Sequence, residues 1–142
     1  MTTTFRTIGC CIDHSPAGRV VAAEGARLRE ALGGGILHLV HVVEPPPPLR
    51  AGPYTYAEPA AVVRSDERHW LHERVEGHPG ATGVLLEGEP VEEVCAWAAR
   101  EGADLLIVAR HRGTLARALH GSFASRVAEH APCPVLVLRP PA

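Results

Sequence analysis

The stretch Asp104–Phe123, DLLIVARHRGTLARALHGSF, decides the fold. Asp104–Ala109, DLLIVA, is an apolar run without alternation, the pattern of a strand buried on both faces of a parallel sheet. The stretch closes on Gly121-Ser122-Phe123, where Ser122 suits the N-cap of a helix. A buried strand feeding a helix through a loop is a βα unit, and the backbone N–H groups at such a helix start favour an anion. The loop between them, however, carries Arg110, His111 and Arg112, where a phosphate cradle is usually rich in glycine.

The same unit recurs on either side. Phe5–Ile12 reads as a short strand ending at Asp13, with Ser15 as a cap and Pro16 in the first turn of a helix. Ala17, Val21, Gly25, Leu28 and Leu32 recur close to helical period, and Gly33, Gly34 and Gly35 end that helix. Ile36–Val43, ILHLVHVV, is a second apolar strand, stopped by Pro45–Pro48. The span 44–58, rich in Pro, Gly and Tyr, reads as a surface excursion open to proteolysis near Arg50, Tyr54 and Tyr56. A second helix is expected from about Pro59 to Val75, with Val63, Trp70, Leu71 and Val75 inward, and Thr82–Gly88 is a short third strand. Pro90 opens a third helix whose Val91, Val94, Cys95 and Ala98 share a face, and Gly102 closes it. Phe123 and Val127 face inward on the last helix, and Pro134–Leu138 is the final strand. The alternation β-α-β-α-β-α-β-α-β predicts a single α/β domain over residues 1–142, a doubly wound and mostly parallel five-stranded sheet with helices on both faces.

Composition narrows the partners. With 46% hydrophobic and 21% charged residues in 142, the chain has the make-up of a soluble globular protein with a real core. A net charge of -2 gives no electrostatic case for nucleic acid or an anionic membrane. No apolar run approaches the ~18 residues of a membrane helix. The start, MTTTFRTIGCCI, lacks the features of a signal peptide, so the cytosol is the expected compartment. All 14 basic residues are arginine, which rules out a Walker-type or Schiff-base lysine. Cys10, Cys11, Cys95 and Cys133 show no CxxC spacing and read as free thiols used as small core residues, a redox role for the vicinal pair being the other reading.

Ligands of such sheets bind beyond the carboxyl ends of the strands, where the strand order reverses. Asp13, Val42-Val43 and the residues from Ala109 onward reach that edge. Asp13 can accept hydrogen bonds from an amino group or a ribose hydroxyl, or serve as a turn residue. Gly121 and Ser122 offer N–H groups and a hydroxyl to phosphate, or form a plain N-cap. His69 and His72, three apart on a helix, could form one side of a metal site, but no second histidine pair or carboxylate is placed to complete it. They read as surface residues, and no metal is expected. His38 and His41 differ by an odd number along a strand and point to opposite faces. No G-x-S-x-G elbow accompanies Ser15, Ser122 or Ser125, and nothing requires hydrolase chemistry.

Taken together, CCIDHSP, LVHVVEP, EGEPVEEVCAWA, ADLLIVA and LARALHGSFASRVAEHAPCPVLVLRP resemble the universal stress protein family along the whole chain. The resemblance implies the adenine nucleotide alpha-hydrolase-like fold with sheet order 3-2-1-4-5, and a homodimer. Many members bind ATP through G-x2-G-x9-G-[S/T] after the fourth strand. Here Gly121 and Ser122 fit the end of that signature, while Ala109 occupies the place of its first glycine. The second glycine is missing because the loop is one residue short, and Gly113 is the only glycine near it. The resemblance puts Asp13 and Val42 against adenosine, and Gly121, Ser122 and Phe123 against the phosphates and ribose. Arg110, Arg112 and Gly113 would substitute for the missing glycines.

Ala109 adds a methyl where the backbone should approach phosphate, and a one-residue deletion moves the chain by up to ~3.5 Å. Both changes weaken a backbone cradle. Arginine side chains can instead hold phosphate through their planar forks, or the basic residues can be a solvated loop tip. The expectation is a dimeric stress-response binding or signalling module, not a turnover enzyme. Its adenine-nucleotide pocket is degenerate, with binding of ATP weak or lost. The alternative is a functional ATP binder that uses the basic Arg110–Arg112 loop. A further rival is an interaction protein without nucleotide, working through its dimer surface. That dimer is expected to form through Val135–Leu138, an apolar edge strand.

Overall fold

The structure, a computed structural model, describes residues 5–44, 60–110 and 122–140. Strands β1 (Thr7–Cys11), β2 (Ile36–Val43), β3 (Ala81–Glu87), β4 (Leu105–Ala109) and β5 (Val135–Leu138) form one sheet in the order β3-β2-β1-β4-β5. Every pairing is parallel. The helices between them are α1 (Pro16–Ala31), α2 (Ala60–Glu76), α3 (Pro90–Glu101) and α4 (Phe123–His130). The expected fold class and strand order are therefore those observed. All but the first residue of the excursion read at 44–58, and residues 111–121 of the basic loop, with Arg112, Gly113 and Gly121, lie outside the described residues.

Two cores share the sheet because alternate residues of each strand point to opposite faces. Ile8, Cys10, Leu37, Leu39, Leu105 and Ile107 pack beneath Val21 and Leu71 of α1 and α2. Val40, Leu106 and Val108 pack beneath Val91, Val94, Trp97 and Val127 of α3 and α4. Ile8, Leu37, Leu39, Leu106 and Ile107 are completely buried, and each contributes about 1.5–3 kcal/mol of transfer free energy. The unbroken burial of β4 follows from its place next to β1 with a helix layer on each side.

Two local expectations change. The buried face of α3 is Val91, Val94, Trp97 and Ala98, while Cys95 is only half-buried at the margin of the stripe. Trp97 reaches the sheet because residue 9 is glycine: a Cβ there would stand 2.7 Å from the indole. Ser15 occupies the N-cap position of α1 with extended backbone, yet its side chain makes no cap hydrogen bond. Its hydroxyl donates to Asp13 Oδ1, a charge-assisted hydrogen bond that orients it toward that carboxylate.

Candidate functional site

β1 has β2 on one side and β4 on the other, and the connections leaving β1 and β3 carry the chain to opposite halves of the sheet. At the carboxyl ends of these central strands lies an open cleft of about 640 Å³. Asp13, Val40 and Val42 line it from β1 and β2, and Ala109, Ser122 and Phe123 line it from β4 and α4. Five of the residues singled out from sequence (Asp13, Val42, Ala109, Ser122 and Phe123) thus meet at one cleft. Arg110, the sixth described candidate, follows β4 with its backbone N–H donated to Leu138 at 2.8 Å and is exposed.

Each wall has a local cause. Asp13 ends the chain's exit from β1 in an Asx turn, Oδ1 accepting the N–H of Ser15 at 3.0 Å. The first turn of α1 packs tightly on this turn through Gly18, where a Cβ would lie 2.6 Å from the Asp13 carbonyl oxygen. Ser122 caps α4, its hydroxyl accepting the N–H of Ser125 at 3.1 Å. The capping and turn readings of these two residues therefore hold alongside their position in the cleft. Apolar side chains of Val40, Val42 and Ala109 supply a wall suited to a flat heterocycle.

The cleft also contains a pair that the sequence reading did not single out. Arg126, on the first turns of α4, donates from a guanidinium nitrogen to Glu89 Oε1 at 3.1 Å. Glu89 is the N-cap of α3 and accepts the N–H of Glu92 at 2.8 Å. Burial would raise the Glu89 carboxyl, but hydrogen bonds from the α3 backbone and the Arg126 charge outweigh it and hold it below its usual range. Both side chains remain well exposed, at 40% and 38%, so the arginine is accessible from the cleft. A legible signal existed: Arg126 stands four residues after the cap Ser122, on the same side of an eight-residue helix.

A second polar cluster sits on the other side of the edge. His41, near the end of β2, is buried, and its Nδ1 lies 3.0 Å from the carbonyl oxygen of Ile12. A carbonyl only accepts, so Nδ1 carries the hydrogen. His41 Nε2 faces Glu67 Oε2 at 2.7 Å. His14 Nε2 faces the same carboxylate at 2.8 and 3.1 Å. Trp70 packs against both imidazoles, with ring centroids 4.2 Å from His14 and 4.7 Å from His41. Burial pushes the Glu67 carboxyl up, but hydrogen bonds from His14 and His41 outweigh it and hold it low.

His38 points the other way, onto Trp97, as the odd spacing predicted. Burial lowers it, and its Nδ1 has no hydrogen-bond partner among the described residues. His69 and His72 do not join; each lies beside a carboxylate one turn on, Glu73 at 3.1 Å and Glu76 at 2.9 Å. All four cysteines are free. Burial pushes the Cys10 thiol up to about 12 and raises Cys11 further, so at neutral pH this vicinal pair stays protonated and unreactive.

Against known proteins, residues 4–139 match the model of the universal stress protein family. A universal stress protein of Thermus aquaticus is 31% identical over 137 residues, which span 95% of this chain and 99% of the relative. A universal stress protein solved in complex with cAMP aligns with a TM-score of 0.75 at 19% identity, over 96% of this chain and 98% of its own. One from Archaeoglobus fulgidus, solved in complex with dAMP, aligns with a TM-score of 0.63 at 18% identity, over 95% and 98%. At these identities the two solved structures establish the shared fold.

Proposed function

Since this chain belongs to the universal stress protein family, we propose that it is a stress-response binding and signalling module, not a turnover enzyme, with a degenerate adenine-nucleotide pocket. The open cleft at the reversal of strand order carries the reading. Its apolar wall of Val40, Val42 and Ala109 takes the base, and Asp13 offers oxygen acceptors to an amino group or ribose hydroxyl. The start of α4 at Ser122, with Arg126 a turn later, offers donors and positive charge to one phosphate.

A triphosphate asks for more. Its outer phosphates would depend on the residues after Ala109, where Arg110, Arg112 and Gly113 stand in place of a glycine cradle. Ordering a long arginine side chain costs up to ~2 kcal/mol, which offsets much of a charged hydrogen bond. ATP therefore binds at about 100 µM or more weakly, equivalent to about -5.5 kcal/mol. The cAMP and dAMP complexes of the two structural relatives, each ligand with a single phosphate, favour the same view. Calorimetry at physiological salt tests it: AMP is expected to bind at least as well as ATP, and Arg110→Ala with Arg112→Ala removes most of the extra affinity ATP retains. Tight, salt-insensitive ATP binding that survives the double change would overturn the degenerate-pocket reading.

The working unit in this proposal is a homodimer formed through β5. That strand ends the sheet, and Leu136 and Val137 remain 40% and 41% exposed, an apolar edge of the kind natural proteins cover. Light scattering at micromolar concentration should give a dimer, and Val137→Pro, which removes a ladder donor, should give a monomer. A wild-type monomer defeats this part of the proposal. Four free thiols fit a reducing compartment such as the cytosol. Among the described residues, no helix is long and apolar enough to cross a membrane.

A further inference from the structure

We propose that His14, His41 and Glu67 form a binding site for a first-row divalent cation, Zn2+ being the best fit. The three side chains come from the turn after β1, the end of β2 and the middle of α2, and one ligand atom from each lies within 4.8 Å of the other two. Nothing in the adenine-nucleotide reading requires this site, and it stands or falls separately.

The strongest argument is the orientation of His41. Its Nδ1–H is held by the Ile12 carbonyl at 3.0 Å, which turns Nε2 toward Glu67 Oε2 at 2.7 Å. A contact that short places a positive charge between ring and carboxylate, either a proton on Nε2 or a metal ion in its place. His14 Nε2 approaches the same oxygen at 2.8 Å, so two imidazole nitrogens converge on one carboxylate. A metal ion satisfies both approaches at once. A backbone carbonyl fixing the remote ring nitrogen is also the usual support of a metal-ligating histidine. Trp70 restrains both rings from one side, with interplanar angles of 41° to His14 and 53° to His41.

Ligand chemistry selects the metal. Two imidazole nitrogens and one carboxylate oxygen, without a thiolate, suit Zn2+, which is held by just such a set in one kind of open site. Metal–ligand lengths of about 2.0–2.2 Å place tetrahedral donor atoms about 3.3 Å apart, so the present contacts need to open by about half an ångström. His14 supplies that freedom because its side chain is 54% exposed, whereas His41 is anchored at 7%. The fourth position falls to water or an incoming anion. The ion would clamp α2 to the loop that carries Asp13, on the border of the nucleotide cleft.

The test is a Zn2+ titration of the full chain after treatment with chelator, followed by calorimetry and by thermal unfolding. One Zn2+ per chain is expected, with a rise in Tm because the ion binds the folded state. His14→Ala and Glu67→Gln should each weaken Zn2+ binding by about 100-fold or more, beyond the loss seen when only the supports of a ligand are changed. His72→Ala, which alters an exposed residue paired with Glu76, should leave it unchanged. His14→Ala alters a half-exposed side chain, so its folding is expected to survive and can be verified by circular dichroism. The proposal is overturned if the folded wild type shows no saturable Zn2+ binding. It is equally overturned if His14→Ala and Glu67→Gln bind as tightly as wild type, or if His72→Ala loses as much as they do.

Discussion

The two sides of the sheet's carboxyl edge treat charge in opposite ways. Over the ends of β1 and β2, beside α1 and α2, His14, His41 and Glu67 face one another, and Trp70 packs over the rings. Over the end of β4, beside α3 and α4, Arg126 and Glu89 meet in an open cleft, each more than a third exposed. Similar distances, 2.7 Å for His41–Glu67 and 3.1 Å for Arg126–Glu89, therefore mean different things. In the enclosed cluster a lost partner strands a buried polar atom, and stability answers. In the cleft water replaces a lost partner at once, so the exposed pair is free to exchange Glu89 for a ligand.

The largest effect should come from the enclosed side. Glu67→Ala removes the group that both imidazoles face, leaving His41 Nε2 buried beneath Trp70. Breaking a buried pair costs about 3–5 kcal/mol, and the lower end applies here because the Glu67 side chain is 21% exposed. Urea unfolding in the presence of chelator, which removes any metal contribution, should therefore show a loss of about 3 kcal/mol. A loss below about 1 kcal/mol, the range of exposed pairs, would erase the contrast between the two sides.

Glu89→Ala should cost less, about 1 kcal/mol, because it removes the α3 N-cap and leaves no buried atom unsatisfied. Its pH dependence has a definite sign. The folded-state pKa is lowered, so the Glu89 contribution is fully present above the unfolded carboxyl value of about 4.3 and fades as pH falls through the folded value. Exposure of the side chain at 38% keeps the effect small. Unfolding of wild type and Glu89→Ala from neutral to strongly acidic pH should show a constant gap that closes only below about pH 4. A gap that widens on acidification would mean that Glu89 stabilises α3 in its protonated form.

How much of this was legible depends on how local each feature is. β2 was readable to its last residue, because ILHLVHVV is an apolar run bounded by three glycines and a proline run. The cleft was readable in outline for a topological reason: in a parallel sheet the residue after each strand must reach the same edge. Asp13 and Ser122 follow from that rule. The histidine cluster does not, since its members are 26 and 53 residues apart and only the packing of α2 on the sheet joins them. The two histidines inside the apolar run of β2 were the one hint, since a buried imidazole needs partners. Trp97 went unread for a related reason, as its inward turn depends on the missing Cβ of Gly9, contributed by another element.

The smallest effect on stability is expected at Arg126, and there the two sides separate most clearly. Its salt bridge with Glu89 is exposed, so Arg126→Ala should change unfolding free energy by no more than about 0.5 kcal/mol. If the guanidinium meets the phosphate of a bound nucleotide, however, it supplies a charged hydrogen bond in a cleft that the ligand closes to water. Such a bond is worth about 1.5–3 kcal/mol, so AMP affinity should fall about 10- to 100-fold. Glu89→Ala should act in the opposite sense on binding, because it removes the anion that competes with phosphate for Arg126. Calorimetry with AMP on the two variants reads this directly. Opposite shifts in affinity, with a loss of stability only in Glu89→Ala, fit an arginine that exchanges its partner for a ligand. An Arg126→Ala variant that is strongly destabilised but binds AMP normally would make the pair a structural clamp, and the cleft would need another group to meet the phosphate.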